Sequence, residues 1–423
     1  MKIRSACVFA GDPDAVFRIL RYMSVSMSSL GRGVASARRQ GRRVLLGLLR
    51  ALLAGLAFAA AGRWIAFPLA ARDGDRWFAG EPGLGLAAAA QVTQWLDRQP
   101  RAEQFMTGSA RFDGEWLFGT YMMAGMGFGQ LALALPHERS RLLPQMERTL
   151  EALASPAAQQ FDAEAWGEAP LATLEGDRGH AAFLGYLGIL LGLHRLLGAD
   201  SRFAELHDRI AAALVRRVSS EPGLLIETYP GEVYPVDNAA VMAAIALHAR
   251  ATGRARPALV ASWAARARSR WVDPESGLLF QAWNARTDRP ADAPRGSGTT
   301  LASYFLAFAD AQLSRDLHIA AERALDRPIL GFGLYQEYPS GWSGAGDIDS
   351  GPLVLGYSIS ATGFALAGRR MFGDEQSYSQ LYATLHLLGA PLEAGGRWTF
   401  VSGGPLADAI MFAMLTAPKG GLS

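Results

Sequence analysis

Cysteine is almost missing from this chain: Cys7 is the only one in 423 residues. A lone thiol ahead of the apolar N-terminal segment leaves the remainder without disulfides or thiol chemistry, a usage consistent with export. Zinc-type ligand spacing is missing too, because the seven histidines are scattered and there is no cysteine pair or HExxH. Charge excess is also absent. The formal net charge is +2, and the basic residues cluster before Arg50, which argues against a nucleic-acid partner. Strand patterns are sparse, and the stretches 223–228 and 278–283 read as short loop hairpins bounded by Gly and Pro.

What the chain has instead is a repeated grammar. Six uncharged runs, 116–135, 181–193, 239–247, 299–309, 353–368 and 409–417, recur every ~50–65 residues, the length of a helical hairpin with its loops. Between them lie six amphipathic segments, 86–98, 139–154, 202–218, 256–271, 314–324 and 375–388, each with one charged face. Helices covered on all sides, alternating with helices that keep one solvated face, predict an inner ring inside an outer one. The expected fold is therefore all-α, an (α/α)6 barrel of six helical hairpins over 76–418. Glycines such as Gly119, Gly125, Gly127 and Gly129 in the inner set each cost about 1 kcal/mol in a helix interior, a cost that close helix contact would offset.

The N-terminus follows different rules. Residues 1–43 form a basic segment with Arg32, Arg38, Arg39, Arg42 and Arg43, and residues 44–71 are apolar except for Arg50 and Arg63. The full run is long enough to span a bilayer as an uncleaved anchor, while its centre, 51–62, is short enough for a signal-peptide core. Either way the arginines place the N-terminus in the cytoplasm, so the expectation is a membrane-anchored protein whose barrel lies on the periplasmic or extracytoplasmic side. Residues before Met27 look unlike the rest, as an over-extended start would.

Each uncharged run opens on acids, glycines or both: Asp113-Gly114-Glu115, Asp177-Arg178-Gly179-His180, Pro235-Val236-Asp237-Asn238, Arg295-Gly296-Ser297-Gly298, Gly346-Asp347-Ile348-Asp349-Ser350-Gly351-Pro352, and Gly404-Pro405-Leu406-Ala407-Asp408. In a closed ring these openings meet at one end. Paired carboxylates with a histidine can donate a proton to a leaving hydroxyl and remove one from carbon, given pKa values held apart by their surroundings. The candidate proton-transfer groups are His180, Glu227, Asp237 and Asp349. Candidate substrate-binding residues are Asp113, Glu115, Trp116, Tyr229, Tyr234, Asn238, Arg295, Trp342, Asp347 and Asp408. The plain alternative is that Asp113, Asp237, Asp349 and Asp408 are helix N-caps. A calcium site on Asp347 and Asp349 is the one metal reading the spacing permits, and it is the weaker one. Neither a metal nor an organic cofactor is expected.

The order and spacing of Gly179-His180, of 223–238 with Glu227 and Asp237-Asn238, of Trp271-Val272-Asp273-Pro274-Glu275-Ser276-Gly277, of 346–373, and of 405–408 resemble the linalool dehydratase/isomerase family over about 105–417. The resemblance implies an (α/α)6 barrel, no organic cofactor, oligomeric assembly, and acid/base removal or migration of a tertiary or allylic hydroxyl. His180 matches the family's histidine. Family members that perform the reaction carry cysteines near the positions of Ile226 and Asp237, and this chain has none there. The expectation is a cofactor-free acid/base enzyme acting on a small hydrophobic alcohol. Aromatic residues in the mouth segments suit a terpenoid or a sugar face alike. The alternatives are therefore a carbohydrate-active enzyme, glycoside hydrolase or epimerase-like, and a non-catalytic envelope protein binding a glycan or lipid.

Overall fold

The computed structural model describes Arg21, residues 43–198 and residues 202–421. Cys7 and the basic segment, apart from Arg21 and Arg43, lie outside the described residues. Contacts divide the chain between Ile65 and Ala66 into two units. The described part of the first, 43–65, is helical and leaves large apolar side chains such as Leu45 and Phe58 exposed. One helix, Arg43–Ala79, is long and apolar enough to cross a membrane by length and composition, a test that signal sequences also pass.

The second unit is built from helices α1 (Phe67–Ala79), α2 (Pro82–Asp97), α3 (Ala110–Ala134), α4 (Arg139–Ala154), α5 (Pro156–Trp166), α6 (Ala181–Leu196) and α7 (Ala204–Ser220). After these come α8 (Pro235–Ala251), α9 (Ala258–Arg266), α10 (Gly296–Leu306), α11 (Ala311–Leu325), α12 (Ile359–Phe372), α13 (Glu375–Gly389) and α14 (Gly404–Leu415). The helices that carry the uncharged runs, α3, α6, α8, α10, α12 and α14, each pack on the next, and α14 returns to α3. That closes the ring. Outside it lie α2, α4, α7, α9 with the π-turn Ala267–Trp271, α11 and α13, which completes the (α/α)6 barrel. Two helices are extra: α1 packs on α13, and α5 packs on α3.

Burial on every side explains why the ring helices carry no charge over most of their length. Close approach explains most of their glycines, including Gly125, Gly127 and Gly129, but not Gly119, where a Cβ would meet nothing within 4 Å. On α6, Gly188 and Gly192 face α8 so tightly that an added Cβ would meet the Cβ atoms of Ala244 and Leu247 at 2.7 and 2.6 Å. The α3/α14 seam is closed by Phe128 against Phe412, ring centroids 5.1 Å apart, and by Gln130 Nε2 donating to the Ala413 carbonyl at 2.9 Å. Tyr304 of α10 reaches across the ring and donates to Gln130 Oε1 of α3 at 3.1 Å, with both side chains buried. The half of the lumen holding the C-terminal turns is therefore filled with side chains.

Among the described residues strands are confined to two hairpins: β1 (Trp283–Asn284) with β2 (Arg289–Pro290), and β3 (Pro391–Ala394) with β4 (Arg397–Phe400). The expected hairpin at 223–228 is an irregular loop instead, with one bridge between Tyr229 and Glu232. The helix expected from 353 begins at Ile359. Leu355 (φ 54°) and Gly356 (φ 83°) sit in the left-handed region, forming a tight turn closed by Val354 and Tyr357.

Candidate functional site

The starts of the six ring helices lie at one end, and the loops before them form a mouth. The N-cap positions are Ser109, His180, Tyr234, Arg295, Ser358 and Gly403, so none of Asp113, Asp237, Asp349 and Asp408 is a cap. Asp113 and Asp237 fall in first turns instead, and Asp349 lies in a loop well ahead of its helix. Their carboxylates are accordingly free of the helix-start N–H groups.

Three carboxylates from distant parts of the chain come within electrostatic reach: Asp237 of α8 acts on both Glu115 of α3 and Asp349 of the 346–352 loop, and Asp349 acts on Glu115. Asp237 is buried and accepts hydrogen bonds from the hydroxyls of Tyr186 (2.5 Å) and Thr228 (2.6 Å). Burial pushes its carboxyl up, while the two hydroxyl donors pull it back. Glu115 has no such support. Burial first, and then the charges of Asp349 and Asp237, push it up to about 8, against smaller help from Tyr229 and Arg111. Tyr229 turns its hydroxyl towards Glu115 without completing a good hydrogen bond, and the Arg111 guanidinium lies 5.1 Å from its ring centre.

Asp349 is pushed up to about 7 by burial and by the charges of Asp347 and Asp237. It stays accessible from the mouth while crowded by protein elsewhere, as a group lining a recess would be. Gln281 Nε2 donates to it at 3.2 Å. Asp347 behaves in the opposite way. Burial opposes its ionisation but is outweighed by the Ser350 N–H and by Arg295, so its carboxyl lies below the ordinary value. Arg295 pairs with Asp347 and Asp292 and lies 5.5 Å from the Tyr338 ring centre. Glu337, fully buried, accepts from the Ser297 hydroxyl at 2.6 Å beneath them, and burial raises its pKa.

Other candidates stand apart from this group. His180 is fully buried, holds Asp162 Oδ2 through Nδ1 at 2.5 Å and packs on Trp166 at 4.8 Å. Its Nε2 faces Glu168 at 3.5 Å without forming a hydrogen bond. Trp166 Nε1 in turn donates to the carbonyl of Thr228 at 3.0 Å, so the His180–Asp162 pair braces the loop that supports Asp237. Glu227 joins through its backbone, where its carbonyl accepts from Ala181 N and its chain presses against Gly179. Asn238 clamps Ile226, accepting from its N–H at 2.9 Å and donating to its carbonyl at 3.0 Å. Asp113 is occupied by the backbone and hydroxyl of Thr107, both at 2.7 Å. Asp408 holds Phe400 N at 2.6 Å, together with Thr399 and Gln91, which fixes the β3–β4 hairpin.

Among the aromatic candidates, Tyr234 donates to Glu232 at 2.7 Å, Trp116 packs edge-on to Phe105, and Trp342 is exposed beside Phe280. The motifs did not single out Tyr186, Thr228, Gln281, Glu337 or Asp162. Tyr186 looks like core filling within an apolar helix, and Asp162 sits in a short helix outside the repeat. Thr228 and Gln281 lay in the marked segments 223–228 and 278–283, but neither was picked out as a site residue. No group of three or more His, Cys, Asp or Glu side chains is arranged to hold a metal ion among the described residues. A cleft of about 500 Å3 between α7 and α8, lined by Val215, Ile245 and His248, lies at the opposite end of α8 from Asp237 and contains none of these carboxylates.

No family model and no curated protein matches the chain. Among solved structures it is similar to an unsaturated glucuronyl hydrolase from Bacillus sp. GL1, a protein described as responsible for glycosaminoglycan degradation. The identity is 14%, the match covers 82% of this chain and 98% of that one, and the TM-score is 0.46.

Proposed function

We propose that the protein is a cofactor-independent acid/base enzyme working at the ring mouth, with a carbohydrate as its substrate class. The observation that carries this reading is the meeting at the mouth of Glu115, Asp237 and Asp349, carboxylates from three distant segments, with Glu115 and Asp349 pushed up to about 8 and about 7. Two hydroxyl donors support the Asp237 carboxylate, and its charge keeps the other two protonated to higher pH. At neutral pH Glu115 is the proton donor, and Asp349, near its midpoint, exchanges protons with substrate or water. Separated carboxyl pKa values of this kind are what glycosidic bond chemistry requires. Accessible Asp349 and exposed Trp342 favour a hydrophilic substrate approaching an open recess, while buried His180 has no surface to offer it.

A second reading, removal or migration of a hydroxyl on a hydrophobic alcohol, is favoured by the aromatic wall beside Asp237. Tyr186 lies between Phe118 and Phe305, with centroids 6.1 and 5.1 Å away. Incubating the purified full-length protein in detergent with a panel of oligosaccharides and a panel of terpenols separates the two. The expected result is turnover of a saccharide whose rate falls above pH ~8 and which Glu115→Gln abolishes over the whole range. Turnover of terpenols alone would select the second reading, and wild-type rates in Glu115→Gln would overturn both.

A further inference from the structure

The barrel unit leaves thirteen large apolar side chains exposed among its described residues, and twelve of them lie at the mouth end. The exception is Ile319, midway along α11. The placement follows from connectivity. Ile329, Leu330, Val354 and Leu355 are in the long loop entering α12, while Leu387 and Leu392 are at the end of α13 and in the hairpin entering α14. Leu355 is 87% exposed. Scattered single apolar residues need no explanation, but confinement to one end of a barrel does.

The chain enters the unit at the same end. Helix α1 runs antiparallel to α13: Phe67 packs on Phe332 at 5.4 Å, Asp75 accepts from the Ser379 hydroxyl at 2.5 Å, and Phe78 packs on Tyr378 at 5.3 Å. The first residues of the unit, Ala66 and Phe67, thus lie beside Phe332 and Ala383, at the mouth end. Residues 43–65, immediately before Ala66, are the first part of the helix Arg43–Ala79, which is long and apolar enough to cross a bilayer. The chain therefore enters the unit at the end of the barrel that carries the exposed apolar rim.

We propose that the rim of the mouth docks on a lipid bilayer, its apolar side chains entering the headgroup region, so that the carboxylate recess opens at the membrane surface. Attachment at Ala66 keeps the rim within reach of lipid, which favours this occupant over a freely diffusing partner. The inference does not depend on the reaction carried out in the recess.

The test uses the full-length chain in lipid vesicles, with Cys7→Ser as background and single spin-labelled cysteines from Leu355→Cys, Leu392→Cys and Ile319→Cys. Power saturation compares collisions with oxygen, which partitions into lipid, and with a water-soluble nickel chelate. The expected result is an oxygen-to-nickel ratio several-fold higher at 355 and 392 than at 319. Water-like ratios at all three positions would overturn the proposal, as would lipid-like ratios at all three. Shielding of 355 and 392 from both reagents, with spin–spin broadening between copies, would assign the rim to a second copy of the chain and overturn it too.

Discussion

Replacing Glu115 with Gln should stabilise the protein at high pH and leave it nearly unchanged at low pH. The folded protein raises this carboxyl from 4.5 to about 8. Between those values the unfolded chain has released the proton while the folded one still holds it, so folding stability declines as pH rises through that window and levels off above it. A rise of about 3.5 units corresponds to a ceiling of ~5 kcal/mol at 1.36 kcal/mol per unit. Partial access to water and coupling to Asp237 and Asp349 reduce this to roughly 2 kcal/mol. Glutamine cannot ionise, so Glu115→Gln removes the penalty. In detergent, the urea midpoint of the variant relative to wild type should rise by roughly 0.5 M more at pH 9 than at pH 4, for an m-value of about 3–4 kcal/mol/M. An equal shift at both pH values, or a larger one at pH 4, would refute the idea that the mouth holds this acid in its neutral form.

Other substitutions test the scaffold. Asn238→Leu keeps the volume but strands the Ile226 N–H and carbonyl, and should cost about 2–4 kcal/mol by the same urea assay. Gly188→Val forces a methyl-bearing carbon into Ala244 across the α6/α8 seam and should cost at least about 1–3 kcal/mol, whereas Gly119→Ala, where a Cβ meets nothing within 4 Å, should stabilise by about 0.5–1 kcal/mol. If the two glycine variants behave alike, helix approach is not what selects glycine in the ring.

The ring was legible because burial on all sides imposes a pattern that short-range sequence shows directly, the exclusion of charge over helical lengths. Gly125, Gly127 and Gly129 were legible for the related reason that close contact offsets their cost, while Gly119 makes no such contact. The site was legible in part. Asp237 and Asp349 stood out as acids beside apolar runs, but spacing alone does not say which way a side chain turns. Asn238, one residue and about 100° around α8 from Asp237, points to Ile226 rather than to the mouth. Asp113 and Asp408 look equivalent to Asp237 in sequence, yet each is occupied by a loop that happens to pass within reach. Tyr186 could not be separated from core aromatics, because its role comes from a single hydroxyl meeting a carboxylate on the neighbouring helix.

The hydrogen bond between Tyr304 and Gln130 spans opposite walls of the ring, and Tyr304, Gln130, Phe128 and Phe412 are all buried there. The barrel is a cup with a floor, so anything that enters past Glu115 and Asp349 must back out by the same opening. Arrival and departure then exclude one another: a departing molecule still in the cup bars the next, and a long chain can be accepted only by one of its ends.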